Sequence, residues 1–225
     1  MEYKITGDNL QLVTLQINPD EKIYAEAGAM IYMSANIKME SKMRGGLMKG
    51  LGRKFAGETT FLSEFTSVGG TGMVSFGGPA PGSIKLINVS PQREFIIQKD
   101  AFLVAQDSVD MSVVFQKRIG AAFFGGEGFI LEKLSGNGTA FIHGCGDFVE
   151  FDLKEGQILK VDTSMVVGWD STVDYDIERV KGVKTMFFGG EGLFLATLKG
   201  PGKVLIQSMS LYTLASAIMR GVPKR

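Results

Sequence analysis

The chain has 225 residues, with 24 basic and 24 acidic side chains that cancel, 44% hydrophobic residues and a single cysteine. The balanced charge excludes a global electrostatic attraction to nucleic acid or to membranes, and one cysteine excludes an internal disulfide framework. The hydrophobic content is that of an ordinary globular protein, and the length allows one domain with a sizeable buried core.

The N-terminal residues show no recognisable targeting signal. Met1 to Ile5 lack the basic region and apolar core of a secretory signal peptide, and they lack the Arg-rich composition of a transit peptide. No apolar run approaches the ~20 residues that a membrane-spanning helix needs. We therefore expect a soluble, cytoplasmic protein.

Three related segments follow one another along the chain. Each has a turn, an apolar strand and an apolar doublet whose first residue serves as an alignment anchor: Met30, Phe102 and Met165. After each anchor comes an apolar–polar–apolar triplet, at 37–39, 109–111 and 173–175. This is the period-two pattern of a half-buried strand. The chain is therefore expected to be built from repeats of one β unit.

The most distinctive motif is Phe-Phe-Gly-Gly-Glu-Gly, which occurs at 123–128 and again at 187–192, with a fainter copy, Phe-Ala-Gly-Glu, at 55–58. An apolar strand and a glycine turn follow each copy, and this spacing predicts an all-β protein. We place the repeats at approximately 8–78, 80–146 and 147–210. Because so short a unit cannot bury its own apolar face, we expect the three to pack about a pseudo-threefold axis in one domain, 1–225.

Two segments depart from the repeat. The first is an insertion with five basic residues and no acid between them: Lys42, Arg44, Lys49, Arg53 and Lys54. Its apolar residues recur every four positions, as in an interfacial amphipathic helix, whereas its glycines favour a loop folded back on the body. We hypothesise that this segment touches an anionic membrane surface or an acidic protein partner.

The second departure is the C-terminal tail. Ser210 is a suitable helix cap, and Leu211, Leu214 and Ile218 fall on one helical face. Gly221 and the following proline end the pattern. We predict a short helix at approximately 210–220, laid on the β body.

These motifs resemble the prokaryotic branch of the Altered Inheritance of Mitochondria, or mitochondrial biogenesis factor, family. The resemblance rests on both Phe-Phe-Gly-Gly-Glu-Gly copies, on Ala-x-Ala-Gly-Ala-Met at 25–30 and on the stretch from 45–46 to 57–58, and it covers nearly the whole chain. It implies a fold like that of the tryptophan RNA-binding attenuation protein (TRAP-like), here in triplicate. The family's yeast member is associated with the mitochondrial inner membrane, but without a targeting segment that role is not expected here. Fold likeness alone transfers neither tryptophan nor RNA binding.

The repeated motif is interpreted as structural. A phosphate-binding loop needs Lys-Ser/Thr and a following helix, whereas here a carboxylate stands in the loop and a strand pattern follows. A bend or bulge is favoured for these residues: Phe124, Gly125, Gly126, Glu127, Phe188, Gly189, Gly190 and Glu191. The equivalent carboxylates Glu58, Glu127 and Glu191 either converge on a cation or, as we favour, accept local hydrogen bonds.

A few single residues also invite a functional reading. His143 and Cys145 share a strand face, as a Cys–His nucleophile pair would, but Cys145 aligns with Met209, so a buried structural role is favoured. Trp169 is expected in the core or an interface. The acidic run formed by Asp170, Asp174 and Asp176 is expected at a solvated strand edge.

We therefore expect a non-enzymatic β scaffold that self-associates, as a trimer or a multiple of three, and acts through protein or membrane-surface contacts. No cofactor, metal or nucleic-acid partner is expected. The alternative is a small-ligand-binding protein with a pocket between repeats or subunits. A hydrolase or thiol enzyme would depend on His143 and Cys145 alone.

Overall fold

The computed structural model describes residues 1–43, 61–117, 129–179 and 194–221. In these residues the chain forms β-strands joined by turns, and one α-helix, α1 (Leu211–Gly221). The strands are β1 (Glu2–Thr6), β2 (Leu12–Ile17), β3 (Lys22–Glu26), β4 (Met30–Met33), β5 (Ile37–Met43), β6 (Phe61–Ser67), β7 (Gly72–Gly77), β8 (Gly82–Val89), β9 (Phe95–Gln98), β10 (Phe102–Gln106), β11 (Val109–Lys117), β12 (Phe129–Gly136), β13 (Gly138–Cys145), β14 (Phe148–Leu153), β15 (Ile158–Asp162), β16 (Val166–Asp170), β17 (Asp174–Arg179), β18 (Phe194–Lys199) and β19 (Gly202–Gln207). The all-β prediction with a short C-terminal helix is confirmed.

The described strands form four antiparallel sheets. Their orders are β1-β2-β7-β4, then β5-β6-β3-β10-β13-β8, then β11-β12-β9-β16-β19-β14, and finally β15-β18-β17. The first and last sheets are small, and we call them the terminal sheets. The two six-stranded sheets between them are the central sheets.

The same pairing order recurs three times. We call β2–β7, β8–β13 and β14–β19 the first, second and third groups. In each group the first, sixth and third strands pair in that order, and the fourth, fifth and second strands pair in that order. The second strand of one group then pairs with the third strand of the next, β3 with β10 and β9 with β16. We call these two pairings the internal joints.

Three hydrophobic clusters lie between the sheets, so the four sheets stack as four layers. On β3, Ala25 enters the cluster shared with the first sheet, whereas its neighbour Tyr24 enters the cluster shared with the second central sheet. On β9, Ile97 and Ile96 likewise enter clusters on opposite faces. Each central sheet is therefore buried on both faces, while each terminal sheet contributes one face to a cluster.

Strand composition follows from this layering. In β2, Val13, Leu15 and Ile17 are fully buried, with half-exposed or exposed residues between them, as expected for a strand with one covered face. In β10, by contrast, every residue from Phe102 to Ala105 is buried, because both faces are covered. Continuous buried runs thus mark inner strands of the central sheets, such as β9, β10 and β13, whereas alternation marks β2 and also β8 at the edge of a central sheet.

The structure corrects one of the alignment anchors. The third strand of each group has a register shift, between Met30 and Tyr32, between Phe102 and Val104, and between Val166 and Gly168. The counterpart of Met30 and Phe102 is therefore Val166. Met165 lies one residue earlier, in a 3-10 turn, so the predicted equivalence is wrong by one position. Both residues of the sequence doublet are apolar, and only the bulge fixes the register.

The pairing forms an open row of groups. Equivalent residues at the start of each group, Leu10, Gly82 and Gly146, are joined by parallel bridges with Gly82 in the middle. Among the described strands, β4 is the third strand of the first group and β15 is the second strand of the third group. Neither of them takes part in an internal joint. The pseudo-threefold axis and the repeat boundaries stay predictions.

Candidate interaction site at the two terminal sheets

Strand β4 is one edge of the first terminal sheet, and β1 is the other. Among the described strands β4 pairs with β7 alone, and Ile31, Tyr32 and Met33 are all exposed, Tyr32 to 45%. The Tyr32 hydroxyl lies 3.0 Å from Thr14 Oγ1, whose own hydroxyl donates to Ser75 Oγ at 3.2 Å. The contacts with Thr14 first and Ser75 second lower the pKa of Tyr32. These polar contacts hold the tyrosine ring on the outer face of the sheet.

Strand β15 is one edge of the last terminal sheet, and β17 is the other. Strand β15 pairs with β18 alone among the described strands. Ile158 is 60% exposed, and Lys160 is exposed and forms an ion pair with Glu178 at 3.1 Å. This edge therefore combines an unpaired backbone, an uncovered isoleucine and a solvent-screened charge pair.

Counterparts of these edge residues are buried at the internal joints. Val104 lies opposite Ala25, and Trp169 lies opposite Ile96. All four side chains are buried. Counting from the bulges, Val104 is the counterpart of Tyr32, and Ile96 is the counterpart of Lys160. The chain thus buries one type of strand pair twice and exposes both halves of a third.

Backbone hydrogen bonds extend the internal joints beyond the strands. The amide of Asp107 donates to the carbonyl of Lys22, and the amide of Ser171 donates to that of Glu94, both at 3.0 Å. These two bonds occupy equivalent places. The joints therefore have a common hydrogen-bonding geometry.

Asp170 does not match its predicted place at a solvated strand edge. Its Oδ1 accepts from Arg93 Nε at 3.1 Å, and its Oδ2 accepts from the amide of Lys203 at 3.0 Å. The side chain is mostly buried and ties β9's end to β16 and β19. Sequence spacing alone could not place Arg93 opposite it. Asp174 and Asp176, in contrast, are exposed on β17.

One layer face of the third group is incompletely covered among the described residues. Ile206 lies opposite the third-group bulge and is half-buried, whereas its counterparts Phe76 and Ile142 are fully buried. On the neighbouring strand β14, Val149 lies opposite Ile206 and is exposed, and Phe151, on the same face of the sheet, is half-buried. A following group covers the counterparts in the first two groups. The third group lacks such a cover in the described residues.

His143 and Cys145 have the environment of structural residues. Both are buried in β13, which pairs with β10 and β8. His143 Nε2 lies 3.0 Å from the carbonyl of Ala80, and burial lowers the pKa of its imidazole. Burial raises the pKa of the Cys145 thiol, whereas a reactive cysteine needs a depressed value.

Close backbone packing surrounds the imidazole. A Cβ added at Gly78 would meet the His143 ring at 2.2 Å, so this position admits glycine alone without a shift.

Trp169 occupies the core as expected. Its side chain is fully buried, and its ring centroid lies 5.2 Å from that of Tyr175. Among the described residues its Nε1 has no hydrogen-bond partner. The indole therefore contributes through packing.

Most of the predicted site residues lie outside the described residues. These are Arg44, Lys49, Arg53, Lys54, Glu58, Phe124, Gly125, Gly126, Glu127, Phe188, Gly189, Gly190 and Glu191. Lys42 lies in β5. The basic surface and the convergence of the three glutamates stay predictions. The part of the chain that is described holds no group of three His, Cys, Asp or Glu side chains suited to a metal ion, and no helix that could span a bilayer.

Comparison with known proteins identifies the family. A family model described as mitochondrial biogenesis AIM24 matches residues 3–209. The chain belongs to the AIM24 family. The predicted resemblance is thereby confirmed.

Two streptococcal proteins are similar over nearly their whole length. An uncharacterized protein of Streptococcus pyogenes serotype M6 is 29% identical over 220 residues, which cover 94% of this chain and 87% of the relative. A crystal structure of a Streptococcus pyogenes protein matches with a TM-score of 0.78 at 25% identity, and the match covers 98% of this chain and 99% of the other. The structural match supports the all-β fold.

Sequence reasoning missed the β4 and β15 edges. A usable signal is present at one joint position, whose third copy is charged whereas its two buried copies are not. Tyr24 and Ile96 correspond to Lys160. Recognising this requires the strand register, which the sequence alone left one residue out of place in the third group.

Proposed function

We propose that the protein is a non-enzymatic cytoplasmic scaffold that self-associates head to tail. In this arrangement β15 of one chain pairs with β4 of the next, which extends the last terminal sheet of one copy with the first terminal sheet of another. Such a heterologous contact builds a ring when the rotation closes. We propose a trimer or a multiple of three.

One observation carries this proposal: among the described strands, the same strand pair is joined twice within the chain, while β4 and β15 are left without this partner. Placed in the register of the internal joints, Tyr32 lies opposite Val161 and Met33 opposite Lys160. The amide of Ala35 would then donate to the carbonyl of Ile158, as the counterpart of the two inter-group bonds already described. Unpaired strand edges favour pairing with another chain.

The layer contacts support the same arrangement. Among the described residues, Phe151 and Ile206 lack the cover that their counterparts receive from the following group. A second chain's first group would supply it, and would also cover the exposed Val149. The outer face of that first group carries Tyr32 and Ser75. Burial of apolar surface contributes about 25 cal/mol per Å² before the cost of association is subtracted.

The scaffold is proposed to act through its surfaces. The basic residues between Lys42 and Lys54 are the element for an anionic membrane surface or an acidic protein partner, on the strength of their sequence pattern. The burial of His143 and the raised pKa of Cys145 favour this reading over thiol chemistry.

The joint is tested by disulfide trapping between two separately purified variants, Met33→Cys and Lys160→Cys. We expect a covalent heterodimer when they are mixed and oxidised, because directly opposed residues of antiparallel strands have Cα atoms about 4.5–5.5 Å apart, within the range that a disulfide spans. Mixing Met33→Cys with Asp174→Cys is the matched control, since Asp174 is exposed on the opposite edge strand of the same sheet. Light scattering that shows only monomer at micromolar concentration would contradict the proposal.

A further inference from the structure

Helix α1 carries an apolar face that the described residues leave uncovered. At 100° per residue, Leu211, Ile218 and Met219 fall on one side, and all three are exposed, Met219 to 72%. Thr213 and Arg220 lie on the opposite side. None of the helix side chains is buried. An amphipathic helix of this kind gains stability only when another surface covers its apolar side.

The start of the helix is fixed in position. Ser210 is buried, and its Oγ accepts from the amide of Thr213 at 3.1 Å, which caps the first turn. Just before it, the amide of Met209 donates to the carbonyl of Cys145 at 3.3 Å. The chain thus enters α1 from a backbone position that is anchored to the second group.

That position continues the row formed by Leu10, Gly82 and Gly146. At the preceding step the amide of Gly146 donates to the carbonyl of Pro81, the residue before Gly82. Met209 repeats this bond one step further, because Cys145 is the residue before Gly146. Met209 therefore holds the fourth place, and α1 begins where a fourth group would begin.

In the head-to-tail arrangement the next chain's first group comes after the third group. The residue of that chain which corresponds to Met209 is Leu10, which is 71% exposed. Because two residues cannot occupy one place, the Leu10 segment of the next chain must lie beside Met209 and the first turn of α1. Both sides of this contact are apolar and exposed.

We infer that α1 of one chain packs its apolar face on the Leu10 segment of the next chain and so clamps the joint between them. This inference rests on the proposed head-to-tail function. The helix then buries Leu211, and the next chain's Leu10 gains the cover that it lacks in the single chain. The contact adds a second element to the β15–β4 pairing, so release of one chain requires both to open.

An anionic bilayer is the other surface that could take such a helix. Residues 208–225 contain three basic side chains, Arg220, Lys224 and Arg225, and no acidic one. The second copy is favoured because the row places the start of α1 at the joint, beside an exposed leucine. No comparable feature of the structure places α1 next to a bilayer.

The contact is tested by crosslinking Leu10→Cys with Leu211→Cys, prepared as separate proteins and mixed with a short bismaleimide. We expect an intermolecular product, and we expect much less with Arg220→Cys, which lies on the opposite face of the helix. The Met33→Cys and Lys160→Cys pair is run in parallel. If that pair is trapped and the Leu10–Leu211 pair is not, the inference is overturned while the head-to-tail function stands. If neither is trapped, both fail.

A second measurement uses the doubly substituted variant Ile218→Glu, Met219→Glu. Both side chains are exposed in the single chain, so the circular dichroism spectrum should match that of the wild type. We expect the dissociation constant of the oligomer to rise at least about tenfold, and to change little in the control Thr213→Glu, Arg220→Gln.

Two outcomes of this measurement overturn the inference. Tighter association of the glutamate variant would mean that α1 obstructs the joint. The apolar face would be assigned to a bilayer if the glutamate variant associated as the wild type does but no longer co-sedimented with vesicles of phosphatidylglycerol and phosphatidylcholine.

Discussion

The internal joint between β9 and β16 and the free edges β4 and β15 are the same structural element in two states. In the joint, Trp169 and Ile96 face each other and both are buried. At the free edges the counterparts are Met33 and Lys160, which are exposed. The strand order, the bulge and the hydrogen-bonding edge are shared. What differs is the side-chain chemistry, which is apolar where the joint forms within one chain and mixed where two chains would have to meet.

This difference indicates how one unit can serve both folding and assembly. An apolar joint forms at any concentration, because both strands belong to one chain. A joint between chains must stay soluble until a partner arrives, and an exposed lysine on an edge strand limits unwanted pairing. The two kinds of joint can therefore be separated by substitutions that affect stability at one and association at the other.

The largest effect is expected at the internal joint. Trp169→Ala removes a fully buried indole from the cluster between the last two sheets, and we expect the free energy of unfolding to fall by about 3–5 kcal/mol. Trp169→Phe is the matched variant. It keeps an aromatic ring and removes an N–H that lacks a partner among the described residues, so we expect a smaller loss.

Urea denaturation followed by circular dichroism measures both changes, because Trp169 is the only tryptophan and its fluorescence is lost in each variant. The corresponding change at the free edge, Met33→Ala, should alter the unfolding of the monomer far less. Equal losses at Trp169 and Met33 would show that the free edge is already packed in the single chain.

How much of this was visible in the sequence depends on the type of signal. Strand periodicity and glycine turns gave the all-β fold, because alternation reflects a local backbone geometry. The position of α1 followed from a capping serine and apolar spacing, and the helix is found at Leu211–Gly221. The prediction that this helix is laid on the β body is wrong among the described residues, where Leu211, Ile218 and Met219 are exposed. A helical wheel identifies an apolar face but not what covers it.

The candidate site was missed for a related reason. Its residues are ordinary edge residues, and they become notable only when each is compared with its buried counterpart in another group. That comparison needs the exact register, which depends on a backbone bulge that hydrophobic patterns do not encode. Asp170 illustrates the same limit, because its partner Arg93 is distant in sequence and is brought to it by the joint.

An intermediate effect is expected from His143, beside the first internal joint. Burial lowers its pKa in the folded chain, so between that value and the ordinary value of about 6.5 the unfolded chain binds more protons. The contribution of neutral His143 to the free energy of unfolding is therefore fully present above about pH 6.5. It is lost as the pH falls below that value, by at most about 1.4 kcal/mol per pH unit. The change in the free energy of unfolding with pH is measured by chemical denaturation from pH 5 to pH 8. Because the effect belongs to the monomer, it should not depend on protein concentration.

His143→Gln is the informative control, because Gln207 occupies the counterpart position in the third group. His143 is the only histidine, so this variant should lose the part of the slope near neutral pH. A slope that persists in the variant would assign the titration to another group.

The smallest effect on folding, and the sharpest test of the comparison, is expected from Lys160→Ile. The substitution gives β15 the residue type that β9 has at its joint, Ile96. Its ion pair with Glu178 joins two exposed side chains, so its loss should change the free energy of unfolding by less than about 1 kcal/mol. If β15 pairs with β4 of another chain, the new apolar side chain is covered in the oligomer and exposed in the monomer. We therefore expect the dissociation constant to fall by about tenfold, which corresponds to about 1.4 kcal/mol and is below the full burial value of an isoleucine.

Lys154→Ile is the control for this prediction. Lys154 is also exposed and forms an ion pair, with Asp152, but it follows β14 and lies outside the joint. Sedimentation equilibrium of the two variants and the wild type at one ionic strength compares the constants, and equal strengthening by both substitutions would mean that added surface hydrophobicity, rather than pairing of β15, drives the association.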